Sequence, residues 1–272
     1  MSPKDAARGA VAGLPMYDWP EVHNAVDVLW SSISARLGVA GIDAPASVWR
    51  PSDIADLWDH PDLLVGETCG VQIFAEYRGR HEVLGVLDHA VDGCRPGEYR
   101  SVVVVRIDDP ADELHDLRGR TVAINERRSY SGYGVLLSTI APLATDGRFF
   151  GGVVETGAHR SSIREVAEGR ADVASIDAVS WRLALDHEPA VDGLRILVWT
   201  EPAPAPPVVT GWANSGSREA LVAAIGEAST LVDLEVREAL HLYGFVPRRA
   251  SDYDVLVAKQ AAAAAAGYPA VA

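Results

Sequence analysis

From about residue 110 to residue 202 the chain alternates short β-branched runs with amphipathic segments, and this constrains its fold more than any other feature. "DELHDLRG" predicts a helix, "TVAIN" a strand, "GYGVLLSTIAPL" a helix and "FFGGVVETG" a strand. "SIREVAEGRA" predicts a helix, with Ser162 and Glu165 as a capping box and Gly169 as its stop. "DVASID", "VSWRLALDH" and "LRILVWTEP" continue as strand, helix and strand. Strands that alternate with helices bury both faces of a sheet, so the pattern predicts a mostly parallel sheet with right-handed crossovers.

The first hundred residues are less regular. "AVAGLPMYDWP" predicts a short strand ending in Tyr17-Asp18, with Pro20 at the start of a helix. In "EVHNAVDVLWSSISARLG" Val22, Val26, Leu29, Ile33 and Leu37 form one stripe, and Gly38 is the stop. "ASVWRPS", "DLLVGETCG", "HEVLGVLDHA" and "YRSVVVVRID" predict strands, and Ser52 is the expected cap of a helix in "SDIADLWDHP". After the Pro-rich "EPAPAPPVVTG", helices are expected in "SREALVAAIGEAS" and "DLEVREALHLYGF". "AKQAAAAAAGYPAVA" predicts a helix-prone tail that frays.

In parallel α/β sheets, ligands sit beyond the carboxyl ends of the strands. Several strand ends here carry small, polar or aromatic side chains: Tyr17-Asp18, Thr68-Cys69-Gly70, the stretch from Asn125 to Tyr133, that from Thr156 to Arg160, and Asp177. "NERRSYSGYG" is the richest of them. It places Ser129, Ser131 and Gly132 where a strand hands over to a helix. A helix start leaves backbone N–H groups open and carries partial positive charge, which suits an anion, although the same residues also serve as an N-cap and a flexible turn.

The formal net charge of −14 and the lack of any Lys/Arg run argue against nucleic acid or anionic membrane as a partner. The two cysteines, Cys69 and Cys94, have no metal-ligand spacing, so neither a metal nor another cofactor is expected. They are expected near each other in the first part of the fold, as a reduced pair or a single disulfide. No signal-peptide pattern or membrane span is evident, so the sequence as it stands reads as cytoplasmic; a trimmed exported chain would read the same way.

Three segments in order, "LRGRTVAINERRSYSGY", "ETGAHRSSIREVAEGRADVASIDAVSW" and "LRILVWTEPAPAPPVVTG", resemble the phosphonate-binding type of solute-binding protein from ABC-transporter systems. The resemblance covers roughly residues 10–215 and is best from Leu117 to Gly211. Each segment alone is a weak signal; their order and spacing make it specific. It implies the α/β type II periplasmic-binding fold, with two lobes joined by two crossing strands and a ligand cleft between them. Residues 1–103 with 203–272 would form one lobe and 104–202 the other. "YRSVVVVRID" would be the outgoing crossing and "LRILVWTEPAP" the return.

The resemblance implies a non-catalytic protein that closes over a small anionic or zwitterionic ligand, such as a phosphonate or phosphate ester, with an ABC permease as partner if the chain is exported. It makes Ser129, Ser131, Gly132 and His159 ligand contacts, with Asn125, Tyr133 and Arg160 beside them. Tyr17, Asp18, Thr68, Cys69 and Asp177 complete the candidates at strand ends. Asp18 would repel a bare phosphate, so it favours a ligand bearing an amine or hydroxyl. Asp177 has an alternative role as an N-cap. Two other classes remain open: a cytoplasmic ligand sensor, and an enzyme of lyase or dehydratase type on the same fold. In the enzyme reading Cys69 would be the nucleophile and His159 its base.

Overall fold

The structure, a computed structural model, describes residues 9–71, 76–77 and 79–272. The chain divides into two compact units. The first holds residues up to Ala90 and the segment Ala205–Asp252; the second holds Val91–Pro204 and Tyr253–Ala272.

The first unit is built on a five-stranded mixed sheet. Its strands are β1 (Val11–Gly13), β2 (Leu63–Glu67), β3 (His81–His89), β11 (Val208–Gly211) and β12 (Leu242–Pro247), in the order β1-β2-β11-β3-β12. Of the neighbouring pairs only β1 and β2 run parallel; β11 is antiparallel to β2 and β3, and β12 to β3. The His23–Val39 helix buries the expected stripe, with Val26, Leu29, Ile33 and Leu37 all under 5% exposed, and packs against the Arg218–Leu231 helix. It runs through Gly38, and the left-handed Gly41 (φ +77°) follows instead as the turn residue.

The second unit has its own sheet, in the order β7-β6-β8-β5-β9. Its strands are β5 (Ser101–Arg106), β6 (Thr121–Ile124), β7 (Gly152–Glu155), β8 (Val173–Asp177) and β9 (Leu194–Trp199). β7, β6 and β8 are parallel, as the alternating pattern predicts, whereas β5 runs antiparallel to both β8 and β9. Val102–Val105 are fully buried, which accounts for a run of four β-branched residues: both faces of a central strand are covered.

Several expectations are corrected. β5 and β9 are neighbours within the second sheet, with Val103 opposite Val198. A separate two-stranded ladder, β4 (Glu98–Tyr99) with β10 (Ala203–Pro204), precedes β5 and follows β9. The tail does not join the first unit and does not fray. After the Asp254–Ala265 helix, Gly267 (φ +87°) turns the chain, and Ala263, Tyr268 and Val271 enter the second unit's core beside Phe149 and Phe150. The Ala272 carbonyl accepts from the N–H groups of Phe149 (2.7 Å) and Phe150 (2.9 Å). Burying an aromatic and a valine offsets the cost of ordering a short segment.

"ASVWRPS" is not a strand; the Trp49 N–H makes one bond to the Ala12 carbonyl, and Pro51 has no N–H with which to extend a ladder. Asp53, not Ser52, caps the Ile54–Trp58 helix. Ser162 is inside the His159–Ala167 helix, where its hydroxyl meets the Ala158 carbonyl and Thr156, so there is no capping box there. β12 was hidden in a predicted helix: His241 (φ +49°) ends the helical stretch and turns the following residues into a strand. Among the described residues no helix is long and apolar enough to cross a membrane.

Candidate functional site

The serine-rich segment follows β6. Ser129 has extended backbone (φ −75°, ψ 138°), and its Oγ accepts from the Gly132 N–H at 3.2 Å, so it is an N-cap. The capped segment opens as a π-helical turn, Tyr130–Gly134, and continues as the Val135–Ile140 helix. A π-turn widens the first helical turn and often accompanies a functional site.

Ser131 is the centre of the cluster. Its Oγ lies 2.8 Å from His159 Nε2 and 3.3 Å from Ser129 Oγ. Its carbonyl accepts from the hydroxyls of Ser101 (3.0 Å) and Ser175 (2.7 Å), both fully buried. Those two serines, one opening β5 and one within β8, fix the Ser131 peptide. They were missed in the sequence, where the visible signal was a lone hydroxyl residue in each of two apolar strands.

Gly132 is required by crowding: a Cβ there would overlap Asn125 Oδ1 and come within 3.2 Å of His159 Cε1. Asn125 Oδ1 and His159 Nδ1 are buried and lack hydrogen-bond partners among the described residues. Burial pushes the His159 pKa down from 6.5 to about 4. The Ser175 carbonyl offsets part of this, yet does not meet Nδ1 in hydrogen-bond geometry. The ring is therefore neutral at pH 7. The cluster presents rotatable hydroxyls, an amide and a neutral imidazole at a helix start.

The neighbouring candidates are committed elsewhere. Arg160 Nε donates to Glu188 Oε2 at 2.7 Å, and a second nitrogen reaches the His187 carbonyl at 3.0 Å. Arg164 shares the same carboxylate. Burial raises the Glu188 pKa, but Arg164, Arg160 and the Ala190 N–H outweigh it and leave a net lowering. The Tyr133 hydroxyl accepts from the Val271 N–H at 3.4 Å, so it braces the tail. Asp177 Oδ1 accepts from the N–H groups of Val179 (2.8 Å) and Ser180 (3.1 Å), as the N-cap of the Ala178–His187 helix.

In the first unit, Asp18 holds Arg50 bidentately at 2.5 and 3.1 Å, and Arg50 also donates to Asp27 at 2.8 Å. Its charge is thus answered within its own unit, and the argument from Asp18 for an amine-bearing ligand falls. Tyr17 is buried with its ring edge-on to His89, 4.8 Å between centroids. Thr68 follows β2, fully buried, and its N–H donates to the Pro207 carbonyl at 3.0 Å. Cys69, half-buried, comes next. The two cysteines are not joined by a disulfide, and Cys94 belongs to the second unit rather than the first.

The family model described as "ABC transporter, phosphonate, periplasmic substrate-binding protein" matches residues 53–253. The chain belongs to that family. It is therefore a ligand-binding solute-binding protein of the phosphonate type, a family of transporter components rather than of enzymes. No curated protein matches it significantly. Among solved structures it is similar to XAC2383 from Xanthomonas citri bound to ATP, at 19% identity and a TM-score of 0.69 over 96% of this chain and 98% of that one. It is similar to PA3383, a binding protein component of an ABC phosphonate transporter from Pseudomonas aeruginosa, at 15% identity and 0.73 over 96% and 88%. It is also similar to PhnD1 from Prochlorococcus marinus in complex with methylphosphonate, at 14% identity and 0.72 over 93% and 97%. At such identities these likenesses speak for the periplasmic-binding fold.

Proposed function

We propose that this phosphonate-type binding protein takes a small oxyanion, a phosphonate or phosphate ester, at the Ser129–Ser131–Gly132 helix start, with His159 and Asn125 beside it. The observation that carries the reading is the convergence at that start of two buried serine hydroxyls and the His159 ring, with Ser131 Oγ 3.3 Å from Ser129 Oγ and 2.8 Å from His159 Nε2. Hydroxyls that now bond each other can rotate to donate to an entering oxygen. A helix N-terminus supplies favourable potential without a cation, which matters here because Arg160 is engaged by Glu188. The methylphosphonate and ATP complexes of the two relatives support this ligand class.

The reading is non-catalytic. A Ser–His pair that works as a nucleophile needs a third group to orient the imidazole. Among the described residues His159 Nδ1 has no such partner, and a ring held near pKa 4 is a poor base at neutral pH. The family description supports a periplasmic address and delivery to an ABC permease, and we carry both as part of the proposal.

Titration calorimetry with methylphosphonate, phosphate and ATP tests it. At least one should bind saturably, and Ser131→Ala should weaken that ligand about tenfold or more, the value of one hydrogen bond to a charged group. Equal affinity in the variant, or no binding of any of the three, overturns the assignment.

A further inference from the structure

A second pocket, of about 350 Å³, lies in the first unit and is walled by His81, Glu82, Val83, Trp212, Arg218 and Arg249. β11 is antiparallel to both β2 and β3, so β2 and β3 run the same way. His81 opens β3, which puts this pocket at the end of the sheet away from Thr68 and Cys69, which follow β2.

Its chemistry is specific. Arg218 is held by Glu82 (3.2 Å) and by the carbonyls of Leu84 (3.4 Å) and Arg248 (3.0 Å), so it is pre-positioned and partly neutralised. The Arg249 guanidinium has no hydrogen bond or ion pair among the described residues; only its backbone N–H is used, on Asp252 at 2.9 Å. Of the charged residues that line the pocket, two are arginines and one is a carboxylate, and the nearby Asp252 carboxylate is taken by the Arg249 N–H. Trp212 is 60% exposed and offers an indole face. His81 is 7% exposed, stacks on Tyr77 at 4.8 Å, and bonds the Trp58 carbonyl through Nε2 at 2.8 Å. That bond makes Nε2 the protonated nitrogen, so Nδ1 is a buried acceptor, and it has no partner among the described residues.

We infer that this pocket is a binding site for a planar aromatic monocarboxylate that also carries a hydrogen-bond donor, of the hydroxybenzoate class. The carboxylate pairs with Arg249, alongside the tethered Arg218; the ring lies on Trp212; the donor satisfies the acceptor side of His81. A guanidinium matches a carboxylate in a planar fork, and an exposed indole favours a flat ring. The volume falls within the range of small-molecule sites.

Calorimetry of the full chain with 4-hydroxybenzoate tests the inference, with benzoate, 4-hydroxybenzyl alcohol and cyclohexanecarboxylate as comparison probes. 4-Hydroxybenzoate should bind saturably, and each comparison probe should bind more weakly. Arg249→Ala and Trp212→Ala alter exposed side chains and should leave the melting temperature near wild type, while each weakens 4-hydroxybenzoate about tenfold. Ser131→Ala should not affect it. Absence of saturable binding overturns the site, as does unchanged affinity in both pocket variants. Loss of binding in Ser131→Ala assigns the ligand to the other site and also overturns it. Cyclohexanecarboxylate binding as well as 4-hydroxybenzoate overturns the aromatic class.

Discussion

The end of β1 and the end of β6 carry similar sets of residues and use them in opposite ways. At the first, Tyr17 and Asp18 pair with His89 and Arg50. At the second, Ser131 joins Ser129 to His159, and Asn125 Oδ1 and His159 Nδ1 have no hydrogen-bond partner among the described residues. Both places bury polar groups beside an imidazole. At the first the Asp18 charge is answered by a guanidinium from the same unit. At the second the bonds are between neutral groups, and the cluster holds capacity in reserve. A polar residue at a strand end is open to a ligand only where the fold has not already given it a partner, which is the ground of the site proposed above.

The largest expected effect concerns the two imidazoles together. Burial holds both His89 and His159 at about 4, against an ordinary 6.5, with the Leu240 carbonyl opposing this at His89. Between those values the unfolded chain takes up protons that the folded chain does not. The stabilising contribution is therefore complete above about pH 6.5 and is lost as pH falls through that window toward 4. The ceiling is about 3 kcal/mol per ring, reduced because both side chains retain some exposure. Melting temperatures from neutral pH down to about 4.5 should fall, and a flat profile contradicts the burial argument. The comparison sharpens when saturating methylphosphonate is added. An anion beside His159 should raise its pKa, while NMR titration of His89 should show no change.

Next in size is Ser131→Ala combined with Gly132→Val, which removes a donor and places carbon against Asn125 Oδ1. We expect ligand affinity to fall about a hundredfold, or nearly 3 kcal/mol. The variant should still melt cooperatively by fluorescence. Retained affinity would show that the β6 end is as locally satisfied as the β1 end.

Arg50→Ala probes the other side. It strands Asp18, whose side chain is 8% exposed, and should cost about 1–2 kcal/mol of stability. That is less than a fully buried pair is worth, because Arg50 itself is a third exposed. Ligand affinity should stay at the wild-type value, and a tenfold loss of affinity with unchanged stability would reverse the assignment of Asp18.

Asp177→Ala is the smallest. Loss of two N-cap bonds should cost about 1 kcal/mol, read as a shift in denaturation midpoint, with no change in methylphosphonate affinity.

Much of the fold was legible because hydrophobic periodicity is a local property. The alternation after residue 110, the stripe on the first long helix and the buried valines of β5 all follow from spacing that burial enforces. The misread places are those where a distant contact overrode local preference. The alanine-rich tail is ordered because Tyr268 and Val271 find a core built largely by residues more than a hundred positions earlier, Phe149 and Phe150 among them. β12 exists because β3 offers it a free edge.

The same division holds at the sites. The sequence by itself marked the strand-to-helix handover at Ser129, Ser131 and Gly132, the strand end at Asn125 and the helix start at His159; these depend on residue type and short-range spacing. Only the tertiary structure decided that Arg160 is tied to Glu188, 28 residues on, and Asp18 to Arg50, 32 residues on. It alone placed Ser101 and Ser175 beneath the Ser131 carbonyl. A side chain's type states how many hydrogen bonds it can make, but which of them are already made depends on what packing brings within about 3 Å.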